Sequence, residues 1–251
     1  MAGASAGALV AAYYAALGDP LPVLIEDAAR TTLTRLLAFA LHLRRLPVFG
    51  TGTLEHCRRL HARLEALDGV AFDALRGPVG RLGVLAFDWT RMAGFFACTG
   101  SPGTGPLSVG RVVRGSASIP VLFPPVLVND GRRNRLLSDG GLIRSLPLEW
   151  VFAPPLSATH ALAVQLPTLR RHIDAFLPAR RRFLDDHGDR IVVVTPRLGL
   201  VRRALRGRRG LEEVFRLGRE ALDDDRIARL RRWQDHPPPV RHGSATVPRE
   251  W

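Results

Sequence analysis

The strongest constraint on the fold stands at the very start of the chain, where Gly3-Ala4-Ser5-Ala6-Gly7 runs directly into Ala8-Leu9-Val10-Ala11-Ala12-Tyr13-Tyr14-Ala15-Ala16-Leu17. A serine among small residues, followed at once by a helix-forming run, reads as a nucleophile on a tight, strained turn. Small flanking residues leave Ser5 Oγ exposed so that a carbonyl can approach. A helix that begins just after the serine aims free backbone N–H groups and its positive dipole end at the reacting oxygen. Such a turn normally follows a buried strand, and only Met1 and Ala2 precede this one.

The pentapeptide alone is weak evidence in a chain with 24 glycines. A secretory signal is the competing reading, because the first 18 residues carry no charged side chain. It lacks a basic leading region, however, and Gly3, Ser5 and Gly7 interrupt the apolar run. The stretch is also too short and glycine-rich to span a bilayer well.

Charge narrows the possible partners. The formal net charge is +13, and all 36 basic residues are arginine. Such a balance attracts polyanions, either nucleic acid or an anionic membrane surface. Arginines cluster at Arg180-Arg181-Arg182 and around Arg202-Arg203 and Arg208-Arg209. No nucleic-acid module accompanies them and aromatics are few, so a lipid surface is the better functional reading beside a plain solvated face. The two cysteines, Cys57 and Cys98, provide no disulfide framework and fit a reducing compartment. With 46% hydrophobic residues, 251 residues are ample for one large soluble domain.

Periodicity supplies a coarse plan. Helical spacing of apolar residues predicts helices over 27–46 and from Thr53 to Leu67. Leu82–Phe87, ending in Asp88, and Gly94–Cys98 predict a hairpin. Ala161–Val164 and Ile191–Val194 are short apolar runs, expected of strands buried on both faces. Residues 211–232 return to helical spacing, and the proline-rich end reads as loop or disorder. Strands alternating with helices predict an α/β layered fold.

A second segment ties the plan to chemistry. Gly110-Arg111-Val112-Val113-Arg114-Gly115-Ser116 reads as a small-residue helix leading through Ala117-Ser118 to Ile119-Pro120. Phe123-Pro124-Pro125-Val126 follows, and Leu136-Leu137-Ser138 then runs into Asp139-Gly140-Gly141. Asp139 therefore sits at the end of a strand, where ligands bind in α/β folds. A partly desolvated carboxylate there can act as a base. The plain alternative for Asp-Gly-Gly is a hairpin turn.

Taken in this order, the serine turn, the Ala-Ser-Ile-Pro and Phe-Pro-Pro connector and the Asp-Gly-Gly turn resemble the patatin-like phospholipase family. The resemblance runs from residue 1 to about 235 and leaves 236–251 as a tail. It implies a three-layer α/β/α fold around a central, mostly parallel sheet. It also implies a dyad in which Ser5 attacks an acyl carbonyl and Asp139 takes the proton. Gly3, Ala4, Ala6, Gly7, Gly140 and Gly141 then shape the turns, and the Ala6 N–H supplies an oxyanion donor. A lipid or phospholipid is the implied substrate, with peripheral contact to an anionic membrane, a cytoplasmic location, no nucleic acid and no cofactor.

The sequence departs from the family pattern in two places. The family carries a Gly-Gly-Gly-x-Arg-Gly oxyanion loop, a first strand and a strand leading into the serine turn, all expected upstream of Met1. The expectation is therefore an N-terminally incomplete fold, from a start further upstream or a fragment, with Ser5 on a frayed end and this exact chain poorly active or inactive; a non-catalytic remnant that binds anionic membranes is an alternative reading. The second departure is Arg144-Ser145-Leu146-Pro147, where the family usually has Asn before the proline.

A Ser-His-Asp triad of the α/β-hydrolase type is the rival chemistry. His42, His56, His61, His160, His172, His187, His236 and His242 all lack a signature setting. His160 and His187, which follow Asp139, fit that fold's chain order. His56, Cys57 and His61 cluster, but at no recognised zinc spacing, so no metal is expected.

Overall fold

A computed structural model describes residues 1–17, 26, 59, 62–75, 79–166, 178–196 and 207–235. The chain divides into two compact units whose boundary in sequence falls between Pro147 and Leu148. Ser5 and Asp139 both belong to the first.

The centre of the first unit is β2 (Gly83–Asp88), whose six residues are all buried. Burial at every position rather than every second one means that both faces of the strand are covered, as the middle layer of a three-layer α/β fold requires. Along one edge it pairs in full with β3 (Ala93–Cys98), antiparallel, from Gly83 against Cys98 to Asp88 against Ala93. This is the hairpin predicted from the two strand-like segments. A second hairpin joins β4 (Val126–Asn129) to β5 (Asn134–Ser138). Gly131 supplies a positive φ of 82° in its turn.

The other edge of β2 carries two strands in succession. β1 (Ala2–Ala4) runs parallel to it, with Ala4 beside Leu85. β5 runs antiparallel to it, with Ser138 beside Phe87. The described sheet is thus mixed, since its two tight hairpins force antiparallel pairing while β1 and β2 run parallel.

The strand leading into the serine turn, expected to be missing, is β1. It is short but tied down. The Met1 ammonium donates to Arg81 O at 2.7 Å, and Gly83 N donates to Met1 O at 2.9 Å. Pairing with a fully buried strand holds the end of the chain, so Ser5 does not fray.

Two helices and the helical segment 62–68 pack on this framework among the described residues. α1 (Ala6–Leu17) buries Ala8, Ala11, Ala12, Ala15 and Ala16 in the core shared with Val84 and Ala86. Alanines at these positions let the helix approach the other core residues closely. α2 (Val109–Ser116) is capped by Ser108, whose hydroxyl accepts from Arg111 N, and buries Val109, Val112 and Val113. It ends before Ile119-Pro120, as predicted. It also packs tightly on β5, because a Cβ at Gly115 would lie 2.6 Å from Leu137 Cβ.

The second unit contains α3 (Leu148–Phe152), β6 (Ala161–Val164), α4 (Pro178–His187) and β7 (Ile191–Val194). β6 and β7 pair in parallel. Only β7 is buried nearly throughout. In β6 the residues alternate, with Leu162 and Val164 half exposed, so the expectation of burial on both faces fails for that strand. The helix read over 211–232 is two helices, α5 (Gly207–Glu220) and α6 (Asp224–Asp235). The break has a local cause: Asp223 Oδ1 accepts from Arg226 N at 2.9 Å and caps the second helix. Residues 62–68, inside the span read as the second early helix, are helical. The helix read over 27–46 and the tail at 236–251 lie outside the described residues.

Candidate active site

The two strands on the second edge of β2 point at each other. β1 ends at Ala4, in register with Leu85, and β5 ends at Ser138, in register with Phe87. One residue of β2, Ala86, separates the two registers. The next residue after each strand is therefore delivered to the same place from opposite directions, and those residues are Ser5 and Asp139. The Ser5 hydroxyl donates to Asp139 Oδ2 at 2.6 Å across 134 residues of chain.

Each turn is held by its own chemistry. Ser5 adopts φ of +55°, a conformation that costs a non-glycine residue about 1–3 kcal/mol and survives only where the surroundings enforce it. Its carbonyl accepts from Ala8 N at 3.0 Å and Leu9 N at 3.3 Å, locking the turn to the first turn of α1. Its N–H donates to Ser116 Oγ at 3.0 Å. Asp139 opens a short 3-10 turn, Gly140–Leu142, and its Oδ1 accepts from Gly141 N at 2.6 Å. The Asp-Gly-Gly segment is thus a strand-to-helix junction, not a hairpin.

The glycines have unequal duties. A Cβ at Gly3 would fall 2.3 Å from the carbonyl carbon and oxygen of Gly7, so Gly3 is what lets β1 and α1 cross at the elbow. A Cβ at Gly140 would fall 2.0 Å from Leu85 O and 3.2 Å from Ala4 Cβ, so Gly140 lets the aspartate turn lie against β1 and β2. One at Gly141 would meet Asp139 Oδ1 at 2.7 Å. At Gly7 it would meet nothing within 4 Å. Ala6 and Gly7 are exposed beside a half-buried Ser5, and helix geometry gives the Ala6 N–H no intrahelical acceptor.

Asp139 itself is buried, with 7% of its surface exposed. A carboxylate so placed exchanges solvation by water for two directed hydrogen bonds, from Ser5 Oγ and Gly141 N. The arrangement can abstract a proton from Ser5 with no intermediary. Of the described histidines, His160 packs its ring 4.7 Å from that of Trp233. Burial lowers its pKa, and the net effect of Arg190, Asp189 and Arg229 does not reverse this. His187 stacks on Phe183 and its Nδ1 lies 3.2 Å from Phe183 O. Both therefore have local partners in the second unit. The His56, Cys57 and His61 cluster lies outside the described residues. Cys98 is buried, and that burial raises its thiol to about 11, leaving it no thiolate character.

Residues 1–151 match the family model of patatin-like phospholipases, a span that contains both turns and all the strands that carry them. The chain belongs to the patatin-like phospholipase family. No individual curated protein matches it. Membership makes the chain one of a family of lipid acyl hydrolases with an α/β fold. The patatin-like segment covers the whole of the described first unit up to Pro147, so the site is contained within the matched part.

Reasoning from sequence brought Ser5 and Asp139 to attention but missed three residues around them. Ser116, Ser118 and Ser138 all bond to Ser5, Asp139 or their supports. The only signal was Ser118's place in the Ala-Ser-Ile-Pro connector, which named a pattern without a task.

Proposed function

We propose that this chain hydrolyses acyl esters of lipids with Ser5 as nucleophile and Asp139 as general base. The observation that carries the reading is the 2.6 Å hydrogen bond between the two side chains, on turns that a shared strand register brings together. As Ser5 Oγ bonds to the ester carbonyl carbon, its proton passes to Asp139 Oδ2, and the carbonyl oxygen becomes an oxyanion beside the Ala6 N–H. Collapse expels the alcohol, which takes the proton from Asp139, and leaves an acyl-serine. Water then attacks the acyl-enzyme, giving its proton to Asp139. As the acyl–Oγ bond breaks, Ser5 Oγ takes that proton back from Asp139, the fatty acid leaves and both side chains are restored.

A phospholipid or lysophospholipid is the proposed substrate class, in keeping with family membership. The net charge of +13 supports peripheral contact with an anionic bilayer. Among the described residues no helix is long and apolar enough to cross a membrane.

The test is covalent labelling. A fluorophosphonate should modify the wild-type chain at Ser5, located by peptide mass spectrometry. Ser5→Ala should abolish the modification, and Asp139→Asn should slow it by about 10²–10⁴-fold, the usual contribution of a general base. Substituting each histidine with alanine should leave the labelling rate unchanged. Loss of labelling on a single histidine substitution, with Asp139→Asn still reactive, would instead establish a triad.

A further inference from the structure

The stretch between the two turns gathers five hydrogen bonds on two serines, Ser116 and Ser118. Ser116, the last residue of α2, is fully buried. Its oxygen accepts from Ser5 N–H at 3.0 Å and its hydroxyl donates to Leu85 O at 2.6 Å. Leu85 is the β2 residue in register with Ala4. The hydroxyl therefore bridges the backbone of the nucleophile to the strand against which that nucleophile is measured. Two residues on, the Ser118 carbonyl accepts from Asp139 N at 3.0 Å and from Ser138 Oγ at 2.7 Å. Ser118 is itself fixed, since its hydroxyl donates to Arg114 O at 2.7 Å.

We infer that residues 116–118 form a clamp that sets the dyad's geometry from behind, with Ser116 as a positioning residue for the nucleophile. The inference rests on the dyad reading above and goes beyond it by assigning a task to a residue that never meets substrate. Ser5 holds a left-handed φ that it would leave if it were free to do so. Among the described residues the Ser5 backbone has three restraints: the pairing of β1, the bonds to the Ser5 carbonyl and the bond to the Ser5 N–H. Only the last involves a side chain. Removing that side chain strands two buried backbone groups, Ser5 N–H and Leu85 O, and a relaxing Ser5 moves Oγ away from Asp139. A displacement of about 1 Å in a reacting group can cost about 10²-fold in rate.

The test compares Ser116→Ala and Ser116→Thr with wild type, using phosphonylation of Ser5 analysed for its maximal rate and its half-saturating probe concentration. Counting labelled sites normalises the rate to folded protein, so partial unfolding of Ser116→Ala does not obscure the result. Ser116→Ala should lower the maximal rate at least tenfold while leaving the half-saturating concentration within about twofold. Ser116→Thr, which retains the hydroxyl, should recover most of the loss. An unchanged maximal rate in Ser116→Ala overturns the clamp. So does equal impairment of both variants, because volume rather than the hydroxyl would then be what matters. If Ser116→Ala yields no folded protein, the threonine variant decides alone: wild-type rate supports the clamp, and a tenfold loss in folded material overturns it. A wild-type chain that does not label at Ser5, or a Ser5→Ala variant that labels as fast, refutes the dyad reading itself and is distinguishable from failure of the clamp.

Discussion

Replacing Gly3 by alanine adds one methyl group at the crossing of β1 and α1, and the structure sets the size of the consequence. The new Cβ would lie 2.3 Å from Gly7 C and O and 2.5 Å from Ala8 N, all backbone atoms. Non-bonded carbons settle at about 3.5–4.0 Å, so the first turn of α1 must retreat by roughly 1 Å. Overpacking of this kind costs about 1–3 kcal/mol of stability. The larger effect falls on chemistry, because Ser5 is joined to that turn through bonds to Ala8 N and Leu9 N. An added ångström takes the Ser5–Asp139 contact from 2.6 Å beyond hydrogen-bond range. Gly3→Ala should therefore slow phosphonylation of Ser5 by about 10²-fold, beyond what its stability loss explains. Gly7→Ala provides the contrast. Its Cβ meets nothing within 4 Å, and alanine suits a helix better than glycine by up to about 1 kcal/mol, so urea unfolding should show an equal or higher midpoint. A Gly3→Ala variant with wild-type labelling rate and wild-type urea midpoint would refute the steric account of the elbow.

Two further predictions concern the ionic cluster on the hairpins. Arg135 donates to Asp88 Oδ2 at 2.9 Å and to Asp130 Oδ2 at 2.7 Å, with Asp88 only 1% exposed. Arg135→Met should destabilise the fold by about 3–5 kcal/mol, read from chemical denaturation, because it leaves a buried carboxylate without its cation. A loss below 1 kcal/mol would mean that the hydroxyl and N–H of Thr90, which also bond to Asp88, suffice. Burial alone would raise the pKa of Asp130, but the N–H groups of Arg132 and Arg133 and the Arg135 guanidinium outweigh it and hold the carboxyl at about 2. A carboxyl depressed in the folded state contributes stability above its unfolded value of 3.8 and loses it as pH falls toward the folded value. Stability should thus decline between about pH 4 and pH 2, and Asp130→Asn should flatten that part of the profile. An Asp130→Asn variant with an undiminished acid slope would assign the decline to other carboxyls.

How much of this was legible in the sequence depended on whether the deciding interaction was local. Ser5 and Asp139 announced themselves through glycines and neighbouring apolar runs, because a strained turn needs particular residues within a few positions. The hairpin of β2 and β3 was equally plain. The meeting of β1 and β5 along one edge of β2 was not, since register is settled by pairing between distant segments and leaves no trace in either. The strand into the elbow was overlooked for the same reason. Three residues carry little periodicity, and β1 exists because β2 offers an edge. Leu162 and Val164 misled through composition, as an apolar run looks the same whether one face or two are covered. The break between α5 and α6 was readable in hindsight, because Asp223 stands where a capping residue belongs. Ser116 was beyond reach, since a buried serine has no pattern until its two partners are known.

The opposed strand tips also have a bearing on how such a chain tolerates change. Ala86 acts as a fiducial mark, and both Ser5 and Asp139 are positioned against it rather than against each other through the intervening sequence. The β1–β2 and β2–β5 registers, rather than the length of the sequence joining the strands, therefore set the separation of Ser5 and Asp139. A single-residue slip of β1 or β5 moves one partner by a full strand step of about 3.3 Å. The site is thus acutely sensitive to the register of the eight residues of β1 and β5.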